Sequence, residues 1–343
     1  MSVFIIAEAG VNHNGDAERA LAMVDAAAAA GADAVKFQTF STDLVIGPTA
    51  GKAEYQARET GEGSQRDMVR PLELSDADHE RLAERCRQQG IEFMSTPFDK
   101  GSVDLLLRLG MTRMKVPSGE ITNFPFLRDL VSRDLPLIVS TGMATLQEVE
   151  EAVAFIAETR AAMGFTAPIA EVVTVLHCTS NYPAACADVN LRAMQTIATA
   201  TGLPVGYSDH TLGIAVSTAA VAMGASVIEK HFTMDKSLTG PDHTASLDLA
   251  ELQAMVRQIR DVEAALGSPI KAPTESEIPV RAVVRRSVTA GRDLAVGETL
   301  VEADLMLLRP ASGIPAKQLD DVVGRVVKTP VAAGQPLQWA DLA

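Results

Sequence analysis

Residues 203–232 read LPVGYSDHTLGIAVSTAAVAMGASVIEKHF. An apolar run, LPVGYS from Leu203, gives way to Asp209 and His210; a helical stretch follows; a second run, SVIEKHF from Ser226, closes on Lys230 and His231. Strand, helix and strand in that order build a parallel sheet with helices packed outside it. Six earlier runs have the same character: VFIIAEA from Val3, DAVKF from Asp33, IEFMS from Ile91, TRMKV from Thr112, LPLIVS from Leu135 and VVTVLHC from Val172. Amphipathic stretches separate them, and eight strands close a (β/α)8 TIM barrel, so an α/β barrel is the expected fold.

Helix punctuation agrees with this order. Asp16 precedes ERALAMVDAAAAA and Gly31 follows it, while Ser75-x-x-Asp78 opens a helix that ends at Gly90. The polar, Gly-rich segment from Thr39 to Leu74 is too long for an ordinary strand-to-helix connection, and is expected to cover a substrate with some helix of its own. After the last barrel helix, LAELQAMVRQIRDVEAALG, the stretch SPIKAPTESEIPV reads as a linker. Short alternating strands broken by AGRD, VGE, SGIP and AAGQP then describe a small, mostly β module. The expected organisation is a catalytic barrel over 1–266, a linker over 267–282 and the β module over 283–343.

Composition narrows the function. A chain of 343 residues, 47% hydrophobic, can build a large core, and its N-terminal apolar stretches suit neither a signal peptide nor a membrane span. Cys86, Cys178 and Cys186 lack both an even count and CxxC spacing, so free thiols in a cytoplasmic enzyme are expected rather than disulfides or a zinc finger. A net charge of −14 repels nucleic acid and anionic membranes. Any anionic substrate must therefore meet a local cluster of basic groups.

The strand ends supply one. They carry Glu8; Lys36 with Gln38; Ser95 with Thr96; Lys115 with Ser118 and Glu120; Ser140 with Thr141; His177 with Thr179 and Ser180; Ser208 with Asp209 and His210; and Lys230 with His231. In such barrels the C-terminal strand ends form the open catalytic face. Lys36 and Lys115, with hydroxyls from Thr96, Ser118, Ser140 and Ser180, make an anion site. One of these lysines acting as a Schiff-base nucleophile is the rival reading. His210 and His231 end neighbouring strands and could share a transition-metal ion such as manganese, with Asp242 in support. Hydrogen bonding in the core is the other reading of that pair. Glu8 and Glu120, expected to stay ionised, could accept a proton or orient a lysine. His13, His79 on a surface helix and His243 receive no role.

The stretches IAEAGVNHNG, AVKFQTF, FMSTPFD, KVPSGE, STGMAT, HCTSNYP, GYSDHTLG, EKHFTMD with GPDH, and RRSVTA with LRPASGIP resemble the bacterial sialic acid (nonulosonate) synthases with a C-terminal antifreeze-like, or SAF, domain. The resemblance spans nearly the whole chain. It implies condensation of phosphoenolpyruvate with an N-acyl hexose, N-acetylmannosamine or its 2,4-diacetamido-2,4,6-trideoxy analogue, giving neuraminate or legionaminate. It further implies a phosphoenolpyruvate cradle of Lys36, Thr96, Lys115, Ser118, Ser140, Ser180 and Ser208, and manganese or magnesium on His210 and His231. Gln38, Tyr182 and Asp242 are implied at the amino sugar, with Arg309 reaching its N-acyl group from the other subunit of a domain-exchanged homodimer. Ser180 is followed by Asn181, where many neuraminate-forming members have Asn and then an apolar residue, so either could meet phosphate. The segment SQRDMVRPLELS resembles the neuraminate and legionaminate branches. A non-catalytic carbohydrate-binding barrel is the remaining alternative.

Overall fold

The computed structural model describes residues 2–343, which divide into two compact units, one reaching Gly267 and one over Ser268–Ala343. The first contains eight strands: β1 (Phe4–Gly10), β2 (Ala34–Thr39), β3 (Glu92–Pro97), β4 (Met114–Val116), β5 (Leu137–Ser140), β6 (Val173–Cys178), β7 (Val205–Asp209) and β8 (Val227–His231). All eight expected strands form. Every ladder is parallel, in the order β3-β2-β1-β8-β7-β6-β5-β4. The end strands β3 and β4 also pack together, so the sheet curls into a barrel.

Period two sorts each strand's side chains between two cores. Ile6, Ala34, Met94, Ile138, Leu176 and Val227 fill the barrel interior. Their neighbours Ile5, Val35, Phe93, Val139, Val175 and Ile228 join the larger core between sheet and helices. Burying each such side chain is worth roughly 1.5–3 kcal/mol, so a one-residue slip of any strand would forfeit several of them at once.

The connections end as their residues dictate. Asp16 accepts from the Glu18 and Arg19 amides to open the helix Ala17–Ala30, and Gly31, at φ 81°, closes it. Ser75 and Asp78 form a capping box on the helix Asp76–Gln89, which Gly90 ends at φ 69°. His79, expected on a surface helix, is instead buried on this helix's inner face, hydrogen-bonded to Thr39 Oγ1 at 2.8 Å. Between β2 and this helix the long insertion folds into the short helices Thr42–Val45, Glu54–Thr60 and Gln65–Val69. Lys52 ties it together by donating to Thr60 Oγ1 and the Gly61 carbonyl, both at 2.9 Å.

The second unit has its own core, which includes Val288, Leu300, Ile314, Val322 and Leu337. Only β9 (Ser287–Ala290) and β10 (Leu305–Leu308) pair as a named antiparallel sheet; isolated bridges such as Leu294 to Val331 do the rest. The stretch read as a linker is not wholly extended, because Glu277–Val284 forms a helix.

Candidate active site

A cavity of about 530 Å³ opens at the C-terminal ends of the strands. Strand parity decides which polar ends reach it. Glu8, Lys36, Gln38, Thr96, Lys115, Ser140, Ser208, His210 and His231 line it, as do Ser118, Glu120, Ser180, Tyr182 and Asp242 from the loops. Residues one step out of phase face the helices. Ser95 bonds Thr39 at 2.6 Å, His177 bonds the Val189 carbonyl at 2.7 Å, and Lys230 pairs with Asp209 at 3.0 Å. Arg309 belongs to the second unit, where it is exposed.

The floor is a buried charge cluster. Lys36 Nζ lies 2.7 Å from Glu8 Oε2 and 3.7 Å from Glu229 Oε2, and donates to Thr96 Oγ1 at 2.9 Å. Lys115 Nζ donates to Ser140 Oγ at 2.7 Å and sits 3.7 Å from Glu229 Oε1. Ser208 Oγ donates to the same Glu229 oxygen at 3.1 Å. Glu229 therefore joins both lysines, a role that sequence reading missed by taking the adjacent Lys230. Counting back two from His231 would have selected it.

Burial and pairing set the protonation states. Burial pushes Glu8 up to about 8, although Lys36 opposes it. Burial also acts on Glu229, but Lys115 and then Lys36 outweigh it and hold this carboxyl below the usual range. Of the two carboxyls, Glu8, expected to stay ionised, is thus the one that burial favours protonated, and Glu229 the one that the lysines favour charged. Burial would lower Lys36, yet Glu229 and Glu8 hold it above the ordinary ammonium value; in Lys115 burial prevails and lowers it.

The imidazoles sit together at one wall, with ring centroids 5.6 Å apart. His210 Nδ1 donates to the Thr179 carbonyl at 2.6 Å, which leaves Nε2 near Ser208 Oγ at 3.4 Å. His231 Nδ1 is buried without a hydrogen-bond partner, 4.0 Å from Asp242 Oδ2. Burial pushes His210 down to about 4 and holds His231 well below the ordinary imidazole value, so both rings are neutral. Neutral rings with uncommitted nitrogens suit a divalent ion. Among the described residues no group of three or more His, Cys, Asp or Glu is arranged to hold one, so protein would supply few ligands and leave sites for water and substrate.

Aromatic rings close the wall. Tyr182 packs 4.1 Å from the His210 ring and edge-on to His231 at 5.5 Å, and Tyr55 of the insertion lies 5.1 Å beyond it. Gly142 leaves room for the hydroxyls: a Cβ there would meet Ser180 Oγ at 2.1 Å and Ser118 Oγ at 2.8 Å.

Fold and cavity define a (β/α)8-barrel enzyme with a buried lysine–glutamate cluster beside paired neutral imidazoles. Residues 23–271 match the NeuB family and residues 285–343 match the SAF domain, and the chain belongs to the NeuB family. It is 53% identical to N,N'-diacetyllegionaminic acid synthase of Legionella pneumophila, covering 99% of this chain and 94% of that protein. The Campylobacter jejuni protein of the same name is 46% identical over 94% of this chain and 95% of its own length. The crystal structure of N-acetylneuraminic acid synthetase from Leptospira borgpetersenii, in complex with citrate, superposes with a TM-score of 0.71 at 35% identity, covering 82% of this chain and 90% of that one.

Proposed function

We propose that the protein condenses phosphoenolpyruvate with an N-acyl mannosamine-type sugar and water, releasing phosphate and a nine-carbon sugar acid. The observation that carries this reading is the convergence of Lys36, Lys115, His210 and His231 on one cavity. The 2,4-diacetamido-2,4,6-trideoxymannose that leads to N,N'-diacetyllegionaminate is placed first as acceptor, ahead of N-acetylmannosamine, because the relatives at 53% and 46% identity bear that product's name.

Lys36 and Lys115 hold the carboxylate and phosphate of phosphoenolpyruvate, and the hydroxyls of Thr96, Ser118, Ser140, Ser180 and Ser208 fill the remaining acceptor positions. Gln38, Tyr182 and Asp242 meet the sugar. His210 and His231 would hold manganese or magnesium, which when bound supplies Lewis-acid polarisation of the open-chain aldehyde. Carbon 3 of phosphoenolpyruvate bonds to the aldehyde carbon while carbon 2 becomes cationic. Glu8 gives its proton to the former aldehyde oxygen and, as a carboxylate, takes one from the water that adds to carbon 2. The carbon-2 hydroxyl then gives its proton to the departing phosphate as the carbon–oxygen bond breaks, which leaves the ketone. Glu120, held by Asn123 Nδ2 at 2.6 Å on the cavity rim, is assigned to a sugar hydroxyl.

We further place the enzyme in the cytoplasm as a domain-exchanged homodimer in which Arg309 of each chain serves its partner's sugar. The helix Glu277–Val284 supports this: Val280, Val283 and Val284, at i, i+3 and i+4 on one face, are 57%, 64% and 43% exposed, an apolar row suited to cover by a second copy. No helix among the described residues is long and apolar enough to cross a membrane.

A phosphate-release assay with phosphoenolpyruvate and both sugars tests the reading, with oxygen from labelled water expected in the sugar acid and not in phosphate. His210→Ala and His231→Ala should lose bound manganese by elemental analysis; retention of manganese and full turnover in both would remove the metal role. The depressed Lys115 ammonium keeps a Schiff-base reading in play. Borohydride trapping of a lysine adduct would favour it over the synthase.

A further inference from the structure

The insertion between β2 and the helix Asp76–Gln89 roofs the cavity, and it does so with an uncharged, mostly aliphatic surface. Val45, Ile46, Met68, Val69 and Leu72 turn aliphatic groups into the cavity, and Tyr55 an aromatic ring. The insertion is rich in charge, with Asp43, Lys52, Arg58, Glu62, Arg66 and Asp67 among its residues, yet none of its charged side chains lines the cavity. They pair elsewhere: Asp43 meets Arg70 at 2.6 Å with both side chains about half exposed, and Arg66 as well, while Arg58 donates to the Tyr182 carbonyl at 3.2 Å. Of the roof's two amides, Gln56 already spends its side-chain oxygen on the Ala53 amide at 3.0 Å. The charged groups of the cavity therefore gather at the floor and the imidazole wall, and the roof is aliphatic apart from Tyr55, Gln56 and Gln65.

This asymmetry fixes which end of an acceptor lies where. The aldehyde must sit against the floor and imidazoles, so the far carbons of a six-carbon chain extend along Tyr182 and Tyr55 toward the roof. We propose that the roof is the specificity-determining surface for that far end, with Met68 and Val69 as its principal residues. It accepts a chain that ends in a carbon-6 methyl, with the Tyr55 hydroxyl and the Gln56 and Gln65 amides left to meet an acylated amine at carbon 4, and disfavours one with a free hydroxyl at carbon 6. A hydroxyl pressed on aliphatic carbon gives up its water and finds no partner, whereas a methyl gains contact. Pockets of this kind discriminate by roughly 10- to 100-fold and no more, because shape alone does not exclude an added hydroxyl.

The inference rests on the synthase reading above, and one experiment separates the two. Steady-state phosphate release is measured with 2,4-diacetamido-2,4,6-trideoxymannose and with N-acetylmannosamine, for the wild type, Val69→Thr and Met68→Gln. Val69→Thr adds a hydroxyl at nearly constant shape, so folding is preserved. The wild type should prefer the diacetamido sugar by roughly 10- to 100-fold in kcat/KM, and each variant should shrink that preference about tenfold with the KM for phosphoenolpyruvate unchanged. A preference that neither variant alters, or a wild type that uses both sugars equally well, overturns the roof's role and leaves the synthase standing. A wild type that releases no phosphate with either sugar overturns both.

Discussion

At the scale of single residues, one carbon or one proton decides much. Gly142 touches the cradle, where a Cβ would press on Ser180 Oγ, Ser118 Oγ and Cys178 Sγ at 2.1, 2.8 and 3.0 Å. Gly142→Ala should raise the KM for phosphoenolpyruvate at least about tenfold while the sugar's KM stays near its wild-type value; equal changes in both would contradict the assignment of those hydroxyls. His13, fully buried, accepts from the Gly15 amide at 3.0 Å, and burial lowers its pKa from 6.5 to about 4. In the unfolded chain the same imidazole takes up a proton near pH 6.5, so its contribution to stability is present above that pH and is lost as pH falls toward 4. On the order of 2 kcal/mol should disappear between neutral pH and pH 5. Denaturant melts of His13→Gln should show a flatter pH slope, and an unchanged slope would assign the effect elsewhere. Residue types near the mouth were legible in the sequence, since Lys36, Lys115, His210 and His231 all line one cavity. Glu229 escaped because a carboxylate beside a lysine reads as a surface pair until strand parity is counted.

At the scale of elements, legibility followed local chemistry. Caps announced helices where a side chain oxygen and a glycine bracket them, as Ser75 and Gly90 do. Ser75→Ala should cost about 1 kcal/mol, read from a urea melt, because an amide of the first turn loses its acceptor. The insertion was expected to cover substrate, but its inward face could not be read from periodicity, since helices of four to seven residues are too short to show a 3.6-residue repeat. The β module read as short alternating strands holds one named ladder, and elsewhere the alternation survives in chain segments that meet a neighbour at a single bridge, such as Thr299 with Val326.

At the scale of the whole molecule, the proposed exchange of arginines can be tested by mixing defects. Chains carrying Lys115→Met and chains carrying Arg309→Ala should each be impaired alone, and their co-expressed heterodimer should regain one wild-type site, about half the activity of the wild-type dimer, because one cavity then combines an intact barrel with an intact arginine. Activity no higher than that of the separate variants would mean that each chain serves itself. The eight-strand order was legible as a whole because every strand repeats one pattern of apolar run and polar end. The out-of-phase pair Lys230 and Asp209, sealed at 0% exposure behind the sheet, carries a consequence for how such a chain can change over time. Deleting one residue ahead of Val227 would exchange the two sides of β8, bringing an ammonium into the cradle where a carboxylate now links two others and stranding that carboxylate among aliphatic helices. Length variation in descendants of this chain should therefore be confined to the connections, leaving the strands free to drift in composition and never in count.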